Sequence, residues 1–221
     1  MSETKLNNKR SRCDSDLYID NDDYDDWNKC NKSDMYNLLE DGIYTDGTDI
    51  HFTASINDKT IIIITKYITD IIKKNISKYK HNDKKLNITY IVDSPGGSVS
   101  AILKFVDYIG LIKQKYKFIE FTSIITGTAA SAGTIMAIVA DKRYMTKYAH
   151  AMIHELSASR NGKFSHIKSY TNFLTELHDT LVSIYLSKVK IDREFLENML
   201  VDETWFSAVK YKELGFVDDI K

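Results

Sequence analysis

An apolar, strand-like segment, Phe118–Ile125, runs into Thr126-Gly127-Thr128-Ala129-Ala130-Ser131-Ala132-Gly133, and a second apolar segment, Thr134–Ala140, follows at once. Two apolar runs separated only by small residues predict a sharp turn from strand to helix. A serine at that turn stands at the start of the helix, where free backbone N–H groups and the partial positive charge of the helix end favour developing negative charge. That is the logic of a nucleophile elbow, although the spacing departs from Gly-x-Ser-x-Gly. Taken alone, the run reads more readily as a tight strand-to-helix packing contact that includes a serine.

A second loop adds weight. Asp93-Ser94-Pro95-Gly96-Gly97-Ser98 contains the only proline of the 221 residues. It separates a β-like run, Ile88–Val92, from a run whose apolar positions Val99, Ile102, Leu103, Val106 and Ile109 recur at helical spacing. Two glycines after proline permit positive φ and a close backbone approach, so that an N–H can face a bound group. The two loops lie one βα unit apart. In a parallel sheet both open on the carboxyl edge, where α/β proteins place their sites.

Further along, Ala151-Met152-Ile153-His154 reads as a short strand ending in histidine, and Val201-Asp202-Glu203-Thr204-Trp205-Phe206-Ser207-Ala208 brings acidic residues ahead of a Ser-Ala helix start. In this order the motifs resemble the proteolytic subunit of the Clp proteases, within the superfamily that also holds the crotonases. The likeness extends upstream through Ile50–Asp58, similar to the family's first core strand and turn, and downstream through Tyr211–Asp218, similar to its closing helix and strand. It covers roughly residues 48–221.

The resemblance implies Ser131 as nucleophile, His154 as general base, and the N–H groups of Gly97 and Ala132 as the oxyanion hole. Serine chemistry needs such a set, because the hydroxyl is a weak nucleophile until an imidazole takes its proton and the oxyanion needs fixed donors. Lone histidines are mostly satisfied core residues, but this position after Met-Ile and downstream of the serine favours the functional reading. His150 could share a strand face with His154, yet His-x-x-x-His as a metal pair belongs on a helix and wants a third ligand. No metal or cofactor is expected. The third triad member departs from the family, whose aspartate four residues before the serine of the Ser-Ala step is here Glu203, with Asp202 beside it. Neighbours in an extended segment point opposite ways, so one of them reaches His154, and Glu203 is preferred. For both acids the plainer reading is a solvated turn that caps the helix starting near Ser207.

Charge divides the chain. Residues 1–46 carry six Lys or Arg and twelve Asp or Glu, against a net charge of −1 for the whole. Seven of those acids are aspartates between Asp14 and Asp26, interleaved with Tyr18, Tyr24 and Trp27 but lacking the glycine and spacing of a calcium loop. The expectation is a disordered acidic extension over 1–46 and one peptidase domain over 47–221. Cys13 and Cys30 both fall in the extension, so no disulfide framework is expected. No run approaches the length of a membrane span and Met1–Arg12 lacks a signal-peptide core, which predicts a cytoplasmic protein.

The expected fold is α/β, of repeated βαβ units with a long protruding handle helix. Strands are predicted near 50–53, 88–93, 118–125, 143–146 and 151–153, and helices over 58–79, 98–109, 131–140 and 165–188. The last carries Ile167, Tyr170, Phe173, Leu174, Leu177, Leu181 and Ile184 on one face. The resemblance makes it the handle through which rings meet; packing on its own sheet explains the same stripe. The function implied is a serine endopeptidase that cleaves unfolded polypeptides or peptides inside a chamber of stacked homo-oligomeric rings. A separate Clp-type ATPase is the implied unfolding partner, because the sequence holds no Gly-x-x-x-x-Gly-Lys motif. Neither nucleic acid nor membrane is an expected partner. Three other classes share parts of this pattern: a crotonase-type acyl-CoA enzyme, which would lack the Ser131–His154 pair; an inactive scaffold subunit; and a membrane peptidase with a Ser-Lys dyad using Lys142 or Lys147.

Overall fold

A computed structural model of the chain describes residues 42–80 and 83–221. The acidic segment between Asp14 and Asp26, and both cysteines, lie outside the described residues. The first strand, β1 (Ile43–Asp46), begins inside the stretch assigned above to the extension. Ile43 is buried at 1% exposure, and β1 pairs antiparallel with β2 (Asp49–Phe52). The acidic composition concealed it, since only one of its four residues faces the core.

From β2 the chain repeats the strand–helix unit. Helix α1 (Asp58–Tyr79) opens on a capping box in which Asn57 accepts from Thr60 N and Thr60 Oγ1 accepts from Asn57 N. Its buried residues Ile61, Ile64, Ile68, Ile71 and Ile72 recur at three and four, so one stripe enters the core. Strand β3 (Leu86–Ser94), helix α2 (Val99–Lys115, capped by Ser98), strand β4 (Ile119–Ala130) and helix α3 (Ala132–Ile138) follow. Then come β5 (Lys142–Met145), β6 (His150–Ile153), α4 (Phe164–Leu186), α5 (Arg193–Val201), β7 (Thr204–Ser207), α6 (Ala208–Glu213) and β8 (Asp219–Ile220).

One sheet joins them in the order β1-β2-β3-β4-β5-β8, with β6 and β7 attached off this path. Apart from the β1–β2 and β6–β7 pairs, neighbours run parallel. The twelve-residue β4 organises the site. Its Thr122–Ile125 stretch pairs with β5, and its Thr128–Ala130 end pairs with β6 instead. Between them the β3–β4 register slips, with Val92 opposite Ile125 but Ser94 opposite Ala129. The Asp93 carboxylate fills the irregularity by accepting from Thr128 N at 2.9 Å. The β3–β4 ladder is therefore irregular just before β4 ends at Ala130.

The long helix α4 behaves differently at its two ends. Leu181, Val182 and Tyr185 are buried, whereas Phe164, Ile167 and Phe173 are 81%, 39% and 52% exposed. Packing on its own sheet therefore accounts for the last turns only, and the rest projects. α5, to which sequence reading assigned no element, is capped by Asp192 and buries Leu196, Met199 and Leu200. Among the described residues, no helix is long and apolar enough to cross a membrane.

Candidate active site

Ser131 sits where β4 gives way to α3, with φ 53° and ψ −123°. Few L-residues adopt that geometry, and holding one there costs of order 1–3 kcal/mol. The surroundings enforce it. Ser131 N donates to Met152 O on β6 at 2.8 Å, and Thr134 Oγ1 donates back to Ser131 O at 2.6 Å. All seven residues of α3 are buried, so the turn cannot relax by unwinding the helix. The Ser131 side chain makes no capping bond to α3. Its Oγ meets His154 Nε2 at 2.8 Å instead.

His154 reaches that position through sheet pairing. β6 aligns with β4 so that Ala130 faces Met152, and His154 is two residues beyond, on the same face as Met152 and His150. Glu155 N, next in the chain, is tied to Leu200 O of α5 at 2.9 Å. His150 itself is exposed at the start of β6.

The Pro-Gly-Gly loop lies directly against the elbow. Gly96 has φ 88°, and a Cβ placed on it would stand 2.6 Å from Ala130 O and 2.8 Å from Ser131 Cβ. Only glycine fits. Ser94 Oγ braces the loop by accepting from Gly96 N at 3.1 Å while donating to Ala54 O at 2.7 Å. Ile56 binds the next turn through Gly96 O and Ser98 N, which leaves the Gly97 N–H on the opposite side. Among the described residues neither that N–H nor the Ala132 N–H has a hydrogen-bond partner, so both are free to donate to a ligand.

The acids are placed less simply. β7 pairs antiparallel with β6, and the ladder ends with Ile153 facing Thr204, one residue short of His154 on one strand and of Glu203 on the other. Asp202 instead closes α5 as its C-cap. Both are exposed, and among the described residues neither carboxylate hydrogen-bonds His154. Glu203 has φ 50°; it and Ser131 are the two non-glycine residues with positive φ among those described. The lysines of the alternative dyad are engaged elsewhere, Lys142 with Glu120 at 2.7 Å and Lys147 over the Tyr148 ring.

Beside Ser131 and His154 a small cavity of about 30 Å³ opens between α2, α3, α4 and α5, with Ile102, Ile135, Leu181, Tyr185 and Leu200 in its wall. Sequence reading missed Thr134 and Tyr185. Thr134 stands three residues after Ser131, the spacing of a residue in the first helical turn, and Tyr185 continues the Leu177–Leu181 stripe by four. Both signals were available. That the two meet across 51 positions was not.

The fold is α/β, and a strained serine on imidazole beside two unpartnered backbone donors at the carboxyl end of a parallel sheet is an arrangement that can carry out acyl transfer. The comparisons with known proteins make this specific. A family model described as Clp protease matches residues 46–221. The chain is 28% identical over 137 residues to the ATP-dependent Clp protease proteolytic subunit 1 of Chlamydia abortus, covering 60% of this chain and 69% of that protein. It is 32% identical over 149 residues to the proteolytic subunit of Streptococcus thermophilus, covering 62% and 70%. With the Chlamydia pneumoniae subunit 1 it shares 25% over 162 residues, 72% and 82% of the two chains. The chain belongs to the Clp protease family, and its architecture is that of a Clp-type protease.

Proposed function

We propose that this chain is a serine endopeptidase in which Ser131 is the nucleophile and His154 its general base. The 2.8 Å contact between Ser131 Oγ and His154 Nε2 carries the reading. With Nε2 unprotonated, the hydroxyl donates to it. As Oγ attacks a peptide carbonyl carbon, the proton passes to the imidazole. The imidazolium then protonates the departing amine as the C–N bond breaks, and water repeats the sequence on the acyl-enzyme. The N–H groups of Gly97 and Ala132 donate to the carbonyl oxygen as it becomes negative. Glu203 orients the imidazole in this reading, which the end of the β6–β7 ladder at Ile153 and Thr204, each next in the chain to one of the two residues, supports.

The exposed apolar part of α4 supports assembly of copies of this chain into stacked rings that enclose the serines. The relatives' names describe ATP-dependent proteolytic subunits, which favours a separate Clp-type ATPase as the partner that feeds unfolded polypeptide to them. The test is covalent: a fluorophosphonate should add to the purified protein at one residue, mapped by mass to Ser131. Ser131→Ala and His154→Ala should each lower peptide hydrolysis by roughly 10⁴-fold or more, and the double variant no further, because the pair acts as a unit. Labelling at another residue, or equal hydrolysis by wild type and Ser131→Ala, would leave a non-catalytic assembly subunit as the better reading.

A further inference from the structure

We propose that Tyr185 sets the depth of the cavity beside Ser131 and makes this chain selective for small side chains, of alanine size, at the residue whose carbonyl is attacked. This rests on Ser131 being the nucleophile. The cavity is lined mainly by apolar side chains, with Glu155 and His178 also in its wall beside the Ser131–His154 pair, and its volume is about 30 Å³. One water molecule needs roughly 10–15 Å³ on this measure. That space takes a methyl or ethyl group as it stands, whereas a leucine or phenylalanine side chain would have to displace part of the wall.

The Tyr185 ring is part of the wall that such a side chain would meet. It is buried at 3% exposure, and it is pinned at both ends. Its hydroxyl lies 2.6 Å from Thr134 Oγ1. The one hydroxyl proton of Thr134 is already given to Ser131 O at 2.6 Å, so Tyr185 is the donor and Thr134 the acceptor. On its other side the ring packs edge-on against Phe216 at 6.0 Å between centroids. A larger substrate side chain would have to swing the ring aside. That would strand a buried phenol and strip the hydroxyl behind the elbow of its donor. A leucine or methionine here would fill less depth and could bend away. The tyrosine does neither, and because its tether ends on the carbonyl of Ser131, the residue that limits the pocket also steadies the nucleophile.

The experiment uses the full-length protein and peptidyl diphenyl phosphonates that differ only in the side chain next to phosphorus: alanine-, leucine- or phenylalanine-like. These esterify an active serine without needing turnover or a partner, and the rate of Ser131 adduct formation is read by intact mass. Wild type should react with the alanine probe at least about tenfold faster than with the leucine or phenylalanine probe, a margin within what apolar pocket contacts supply. Tyr185→Ala, or Tyr185→Leu should the first fail to fold, should reverse that order. Tyr185→Phe should keep the preference, since the ring stays, while all three rates fall. Equal or faster reaction of wild type with the larger probes overturns the proposal, as does an unchanged order in the cavity-opening variant. A plain fluorophosphonate serves as control. If it labels Ser131 while the phosphonates show no size preference, only the role of Tyr185 fails; if Ser131 is not labelled at all, the serine reading fails and this inference with it.

Discussion

Ser131 and Glu203 both hold backbone conformations that L-residues avoid, and Ser131 Oγ meets the His154 imidazole. Strain of this kind persists only where neighbours over-determine it. For Ser131 those neighbours are Met152 O, Thr134 Oγ1 and Gly96. Gly96→Ala should therefore act as an active-site variant although it carries no chemistry. The new Cβ would press on Ser131 Cβ and Ala130 O, and a displaced nucleophile costs roughly 10²-fold in rate. Fluorophosphonate labelling rates against wild type check this. At the acid, Glu203→Gln should lower turnover by about 10²-fold or more if the carboxylate orients His154, while Asp202→Asn should do little, since Asp202 sits in the α5 cap. Steady-state kinetics of the two variants decide between them; two mild effects would mean that another group holds the ring.

Among the elements, α4 joins two environments. Its final turns, with Leu181, Val182 and Tyr185, belong to the core and to the cavity. Its first turns expose Phe164, Ile167 and Phe173. Phe173→Glu tests the exposed part without touching the core. Surface substitutions of this kind change monomer stability by about 0.5 kcal/mol or less, so the thermal unfolding of the monomer should hold. On the proposed assembly, sedimentation velocity should show the oligomer lost. An unchanged oligomer would remove this face from the ring contact. Helix α5 was legible in principle: Asp192 is a good N-cap, and Leu196, Met199 and Leu200 have helical spacing. At nine residues, lying between a long helix and an acidic turn, it was passed over.

For the molecule as a whole, buried phenols link stability to pH. Burial pushes the hydroxyls of Tyr90, Tyr185 and Tyr211 above the ordinary tyrosine value. Their neutral forms are favoured in the folded state, so the stability they confer is fully present below about pH 10, the unfolded-state value, and is lost as pH rises from there toward the folded-state values. An alkaline titration followed together by phenolate absorbance and circular dichroism should show these tyrosines ionising in step with loss of structure. Ionisation with the fold intact would contradict it. The sequence alone settled the features that depend on local sterics: small residues around Ser131, the Pro95-Gly96-Gly97 loop, the helix over 58–79 with its recurring isoleucines, and the order of motifs that marks the family. Each is a property of consecutive residues, so backbone geometry and periodicity suffice to read it. Only the tertiary structure decided that β1 belongs to the sheet, that α4 is buried only in its last turns, that Ser131 Oγ meets His154 Nε2, and that Tyr185 meets Thr134 beside the cavity. Those outcomes depend on strand pairing and on which side chains compete for one volume, and residues far apart in the chain settle that competition only when the packed molecule brings them together.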